Sequence, residues 1–121
     1  MSHKKQNKKD DICFDYSVKH LVVLKTVRGE RVKVIPMSTK DKEKNSTLEN
    51  IPMQQNCDPK DNRESFFIPH VRNVKNNPEK LSPRSSFYLT KKDIKQSDDI
   101  YSTHRNNVRA ERKRKKHKKR S

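Results

Sequence analysis

The chain has 121 residues and a formal net charge of +16, and only 27% of its residues are hydrophobic. Leu, Ile, Val and Phe together number 24, just under a fifth of the chain. A chain with so few apolar groups and so much charge cannot bury enough surface to offset its conformational entropy. The composition therefore predicts a mostly disordered chain with no large core. It also argues against an enzyme, because a catalytic site needs a rigid scaffold.

The excess positive charge is concentrated at the two ends of the chain. The first nine residues contribute +4 and residues 109–121 contribute +8, whereas the 99 residues between them contribute only +4. Basic ends around a nearly balanced middle are typical of proteins that bind nucleic acid or another anionic surface. We expect residues 1–11 to form a basic disordered arm.

The sequence lacks the features of a secreted or membrane protein. No apolar stretch resembles a signal peptide or approaches the roughly 20 residues of a membrane span, so we expect an intracellular protein without a membrane partner. Cys13 and Cys57 should then be free thiols, Cys13 as a small buried group and Cys57 exposed in a linker. Their spacing from the histidines does not match a zinc site, and a single glycine leaves no glycine-rich phosphate loop. We expect no metal, cofactor, catalytic residue or small-molecule substrate.

Residues 12–37 are the most apolar segment, with 14 of the 33 hydrophobic residues. The β-branched runs HLVVLKTV and RVKVI flank Gly29, which predicts a β-hairpin at about 19–35. An isolated hairpin is marginally stable at best in water. We therefore expect a protein partner to complete the sheet by strand addition, through the apolar side chains of Leu21, Val23, Val32 and Val34. The alternative is a self-contained meander in which residues 12–16 fold back as a third short strand.

Residues 38–90 are polar, mixed in charge and interrupted by prolines, which predicts a disordered linker. Two aromatic segments interrupt it, SFFIP at 65–69 and SFYLT at 86–90. Aromatic side chains bury a large area at small entropic cost, so we expect these segments to dock on a partner through Phe66, Phe67, Phe87 and Tyr88. The alternative is that both segments pack on the hairpin. Ser82, which precedes a proline, is a candidate for phosphorylation by a proline-directed kinase.

Residues 91–121 contain no Pro or Gly, and Ile94, Tyr101 and Val108 recur every seven residues. This pattern predicts a basic helix at about 91–118, beginning with a capping box of Thr90 and Asp93. The run RKRKKHKKR fits a nuclear import signal, bound by an importin, and also a patch that binds nucleic-acid phosphates. The candidate nucleic-acid-binding residues are Arg105, Arg109, Arg112, Lys113, Arg114, Lys115, Lys116, Lys118, Lys119 and Arg120.

These features predict a non-enzymatic nuclear protein, located in the nucleolus, that tethers a protein partner to the RNA backbone. The expected role is an assembly factor in ribosome biogenesis that binds ribosomal precursor RNA, because most small, basic, disordered intracellular proteins serve ribosomal RNA. The alternative is a protein–protein adaptor in chromatin or cell-cycle machinery, whose basic tail is only a nuclear localisation signal. A third hypothesis is a structural basic subunit of a ribonucleoprotein.

Overall fold

The computed structural model describes residues 7–118, which form an antiparallel sheet of seven strands and one helix. The elements in chain order are β1 (Ile12–Asp15), β2 (His20–Arg28), β3 (Arg31–Ser38), β4 (Ile51–Pro52), β5 (Phe66–Phe67), β6 (Arg72–Lys75), β7 (Leu81–Pro83) and α1 (Lys91–Lys118). The strand order is β4-β5-β3-β2-β1-β7. The outer edge of β3 pairs with β6 along its first half and with β5 at its end.

The hairpin of β2 and β3 is the centre of the sheet. Its last pair joins Arg28 to Arg31, which leaves a two-residue turn that begins at Gly29 with a φ of 57°. A glycine suits this position because the tight hairpin turns need the left-handed region, which a side chain disfavours. The pairing shifts between Leu24 and Thr26, so the residue between them, Lys25, lies at a β-bulge.

Both faces of the sheet are buried. On one face Val23, Ile35 and Phe67 form a core, against which Ile94 and Ile100 of α1 pack. On the other face a second core contains Val22, Leu24, Val32, Val34, Cys13, Val74 and Leu81. Strands β6 and β7, which supply the last two of these residues, lie on opposite sides of the central hairpin. The sheet therefore curls around the second core, while the helix covers the first.

The prediction of a mostly disordered chain with no large core is wrong. Residues 38–90, expected as a disordered linker, contribute strands β4 to β7 and several buried side chains. Composition gave the wrong prediction because most of the few apolar residues in this polar segment pack in or against one of the two cores, so a small number of them is enough to order it. Short polar side chains build the turns between them: Asn56, Asp58 and Asn77 each accept a hydrogen bond from a backbone N–H two or three residues further along.

The hairpin does not need a partner to complete its sheet, because β1 pairs with β2 and β6 pairs with β3. The third strand at 12–16, given as the alternative, corresponds to β1 (Ile12–Asp15). Both cysteines are free thiols, as predicted, but Cys57 is buried in the first core and is not an exposed linker thiol.

Helix α1 has the bounds that the sequence predicts. The Thr90 hydroxyl accepts a hydrogen bond from the Asp93 N–H at 3.2 Å, which caps the first turn. The Asp93 carboxylate does not complete a capping box with Thr90. Instead it accepts hydrogen bonds from the backbone N–H groups of Gln54 and Gln55, at 2.7 and 3.2 Å, and ties their loop to the helix. No helix within residues 7–118 combines the length and the apolar character needed to cross a membrane.

A buried ion cluster joins the helix to the sheet. The Lys25 side chain is 0% exposed, and its Nζ lies 2.6 Å from Asp10 Oδ1, 2.7 Å from Asp98 Oδ1 and 2.7 Å from Ser97 Oγ. A buried ammonium group is costly unless it is paired and hydrogen-bonded. Burial works against the Asp98 carboxylate, but the hydrogen bond and charge of Lys25 outweigh it and lower the pKa of Asp98. The cluster thus fixes the residues before β1, the bulge in β2 and the first half of α1 to one another.

Replacing Lys25 with Met should lower the free energy of unfolding by about 1–3 kcal/mol, because the partners of the ammonium lose their hydrogen bonds. Urea denaturation of the variant measures this loss, and Lys95→Met, on the exposed side of α1, is the control.

The stabilisation by the cluster should also depend on pH. Because folding lowers the pKa of Asp98, the contribution of its carboxylate to the free energy of unfolding is present above the ordinary value of 3.8 and is lost as the pH falls below it. The difference between the wild type and Lys25→Met should therefore shrink in acid.

Replacing Phe67 with Ala should lower the free energy of unfolding by about 3–5 kcal/mol, because this ring is completely buried in the first core. Denaturation of the isolated chain followed by circular dichroism measures the change. Leu48→Ala is the matched control, since Leu48 is 61% exposed and should tolerate the change. An isolated chain that shows no cooperative transition at all would contradict the fold described above.

Candidate nucleic-acid interface

A groove of about 670 Å³ lies between the turn end of the β2–β3 hairpin and the second half of α1. Six Lys and Arg side chains line this basic groove, and no acidic side chain does: Arg28, Arg31, Lys33, Arg105, Arg109 and Arg112. Thr26, Asn73, Tyr101, His104 and Val108 complete the lining.

The hairpin positions its three cations through the alternation of β3. Val32 and Val34 are completely buried in the second core, so Arg31 and Lys33, which alternate with them, are held on the opposite face of the strand. This is the face of the first core, which α1 covers near Ile35, further along β3. Arg28 lies across the turn from Arg31 in the hairpin register and adds the third cation.

The helix positions the other three cations through its own period. Arg105, Arg109 and Arg112 lie four and three residues apart, so they share one face of α1. Tyr101 anchors this face to the sheet, because its hydroxyl accepts a hydrogen bond from the Thr26 hydroxyl at 2.7 Å. The Arg105 guanidinium lies 5.9 Å from the centre of the Tyr101 ring, in a cation–π contact.

The charge of the groove is not neutralised by the described part of the chain. None of its six Lys and Arg side chains forms an ion pair within residues 7–118. The pKa of His104 is lowered by burial first, and then by the charges of Lys33 and His70, so its ring is neutral at pH 7. A cleft lined by charges of one sign focuses the electrostatic field and attracts oppositely charged ligands. The arrangement can bind closely spaced anionic groups.

The structure brings together only some of the predicted nucleic-acid-binding residues. Arg105, Arg109 and Arg112 line the basic groove, and Lys113 is exposed just beyond it on α1. Four further candidates belong to α1, but the structure does not describe their side chains: Arg114, Lys115, Lys116 and Lys118. The last two candidates lie entirely outside the described residues: Lys119 and Arg120.

Sequence reasoning missed Arg28, Arg31 and Lys33 as binding residues. The alternation of R-V-K-V already indicates that Arg31 and Lys33 share a face of the strand. What the pattern cannot show is that a helix from the far end of the chain packs over this face and adds its own arginines.

Most of the residues predicted to bind a protein partner lie in the cores instead. Val23, Val32, Val34, Phe66 and Phe67 are buried. Leu21 and Phe87 are partly buried against the first core, and only Tyr88, at 54% exposure, presents most of its side chain to solvent. This placement corresponds to the alternative in which the aromatic segments pack on the hairpin. Ser82 lies in β7, where its backbone is paired with Phe14, and its phosphorylation stays a prediction.

Other kinds of site have little support in residues 7–118. No group of three or more His, Cys, Asp or Glu side chains in this range is arranged to hold a metal ion. Burial is the main cause that raises the pKa of Cys13 and of Cys57 to about 11. Both groups are therefore protonated thiols at neutral pH and not reactive thiolates.

The comparisons with known proteins leave the basic groove as the principal guide to function. The chain matches no protein-family model, no curated protein and no solved structure.

Proposed function

We propose that this protein binds the phosphate backbone of a nucleic acid, RNA in the first place, in the basic groove. One observation carries the proposal: six cations, three from the β2–β3 hairpin and three from α1, converge on one groove that no acidic side chain lines. The proposal assigns a binding role and no catalytic step.

Phosphate binding is the chemistry that best suits such a groove. Each phosphate that a Lys or Arg neutralises releases condensed counterions from the nucleic acid, so binding is strong at low salt and largely independent of sequence. The groove holds its cations on a strand pair and a helix, so less side-chain and backbone entropy is lost on binding than with a flexible tail. Beyond Arg112 the sequence continues with seven further Lys and Arg residues up to Arg120, which extend the same positive charge.

The narrower parts of the proposal rest on composition. RNA as the ligand, a role as an assembly factor in ribosome biogenesis and a nucleolar location are inferred from the small, basic chain. Import by an importin is inferred from the run RKRKKHKKR. In the adaptor alternative this run serves only for import, and the basic groove would then have no ligand. Binding experiments on the groove therefore distinguish the two hypotheses.

Replacing Arg28, Arg31 and Lys33 together with Gln should weaken binding to a single-stranded RNA. The logarithm of the affinity falls linearly with the logarithm of the salt concentration, by about 0.7 for each phosphate contact on a single strand. The triple variant should therefore lower this salt slope by about 2. Fluorescence anisotropy over a series of salt concentrations measures both effects.

The matched control replaces Lys40, Lys42 and Lys44 with Gln. These lysines are exposed in the loop after β3, at the opposite end of the strand from the basic groove, and their loss changes the net charge by the same amount. If the two triple variants lower the affinity and the salt slope equally, the groove has no special role and binding depends on net charge alone.

His104 should make binding depend on pH. Its lowered pKa leaves the ring neutral at pH 7, and a bound phosphate favours the charged form. As the pH falls below the ordinary value of 6.5, the affinity should rise and the salt slope should increase by up to about 0.7. His104→Gln should remove this increase, whereas His20→Gln, at the start of β2, should retain it.

The same titration has the opposite sign for the stability of the free protein. Because folding lowers the pKa of His104, the unfolded chain takes up the proton more readily, and stability falls as the pH drops below 6.5. A pH series of denaturation curves for the wild type and His104→Gln checks this sign. Tighter binding at low pH that persists in His104→Gln would assign the effect to another group.

A further inference from the structure

A second cavity of about 340 Å³ opens beside α1 and shares His104 with the basic groove. We call it the side pocket. Its apolar walls include Ile51, Val71 and Ile100. Its hydrogen-bonding groups include Gln96, Asp99 and Asn107, which lie on one side of α1 because they are spaced by three and eight residues.

The side pocket differs from the basic groove in its chemistry. No Lys or Arg lines it, so it is not suited to phosphate. Among the side chains that the structure describes, those of residues 7–113, none forms a hydrogen bond or ion pair with the side chain of Gln96, Asp99 or Asn107. The pocket therefore offers amide and carboxylate groups beside an apolar wall. Sites of this size and character bind small, mainly planar or apolar ligands that carry a few polar groups.

His104 links the two cavities. It lines both of them, and burial together with the charges of Lys33 and His70 keeps its ring neutral at pH 7. A neutral imidazole both donates and accepts hydrogen bonds. A ligand that spans the two cavities would place an anionic group among the groove cations and a neutral polar ring in the side pocket. A nucleotide within a strand has this combination of groups.

We propose that the side pocket takes an unpaired base of the strand whose phosphates lie in the basic groove, and that Asp99 favours a base with an amino group. This inference rests on the proposed function and narrows it to single-stranded nucleic acid. A base stacked and paired in a duplex cannot enter a side cavity. A carboxylate accepts a hydrogen bond from the amino group of cytosine, whereas uracil has a carbonyl oxygen at that position and offers no donor there.

The test compares the full-length protein on three probes at one salt concentration: a twelve-nucleotide oligocytidylate, an oligouridylate of equal length, and an RNA duplex of equal length. Cytosine and uracil differ at the base edge in two groups: the amino group of cytosine replaces a carbonyl oxygen, and the ring nitrogen beside it accepts a hydrogen bond in cytosine but donates one in uracil. The pair of probes therefore measures the preference, and the Asp99 variant below assigns it to the carboxylate. We expect oligocytidylate to bind at least about fivefold more tightly than oligouridylate, and the duplex to bind more weakly than oligocytidylate. Equal binding of the two single strands, or tighter binding of the duplex, overturns the inference.

Asp99→Ala should reduce the ratio of the two single-strand affinities to about one. The matched control is Glu111→Ala, which removes one negative charge from an exposed position further along α1, outside both cavities. The control should strengthen binding to both strands by the same factor and leave their ratio unchanged. A ratio that Asp99→Ala leaves unchanged also overturns the inference.

The groove variant with Arg28, Arg31 and Lys33 replaced by Gln separates this inference from the proposed function. It should weaken binding to both single strands and retain their ratio. If it weakens both strands while the wild type shows no preference between them, the groove binds backbone and the side pocket binds no base. If it leaves both affinities unchanged, the proposed function fails and the base pocket fails with it.

Discussion

The burial of both sides of β2 is the constraint on which the rest of the structure depends. Val22 and Val23 are adjacent in the chain, point to opposite faces of the sheet, and are both completely buried. A strand of this kind is stable only if each face is covered, because either exposed face would present a continuous apolar surface to water. The helix covers one face and the curl of the sheet covers the other. The short strands take part in this burial: β5 contributes to the first core, and β6 and β7 contribute to the second, so residues distant in the sequence pack together.

The same constraint determines where the positive charge goes. Because Val32 and Val34 must reach the second core, their neighbours Arg31 and Lys33 are held on the helix side of β3. The helix is anchored to that side by Ile94, Ile100 and Tyr101, and beyond Tyr101 it carries arginines where a core helix would carry apolar residues. The apolar contact therefore ends where the basic groove begins. A net charge of +16 is compatible with this fold because much of the positive charge lies in the basic groove, at one end of the sheet, and in residues 113–120 of the sequence.

The elements with a strong local pattern could be predicted from the sequence, and those without one could not. The hairpin follows from two β-branched runs around Gly29, and the helix follows from a long segment free of Pro and Gly. Strands β4, β5 and β7 have only two or three residues, too few to show a period, and they form because a distant strand pairs with them. Average composition also hides the fact that scattered residues pack together in the folded chain, Phe67 in the first core and Leu81 in the second. Half of the groove cations could be predicted, because the three arginines of α1 belong to a basic segment of the sequence. The three hairpin cations could not, because their part in the groove depends on how a helix distant in the sequence packs on the sheet.

The Lys25 cluster has a consequence for how the chain is made. Lys25 and Ser97, whose side chains meet at 2.7 Å, are 72 residues apart in the sequence, and β1 likewise pairs with β7 across nearly the same span. During synthesis the central hairpin can form early, but one of its faces stays uncovered and its lysine stays solvated until α1 has left the ribosome. Pairings this distant in sequence slow folding and prolong the exposure of apolar strands. Vectorial synthesis thus leaves the most apolar segment, residues 12–37, partly uncovered until residues 91–118 have been made.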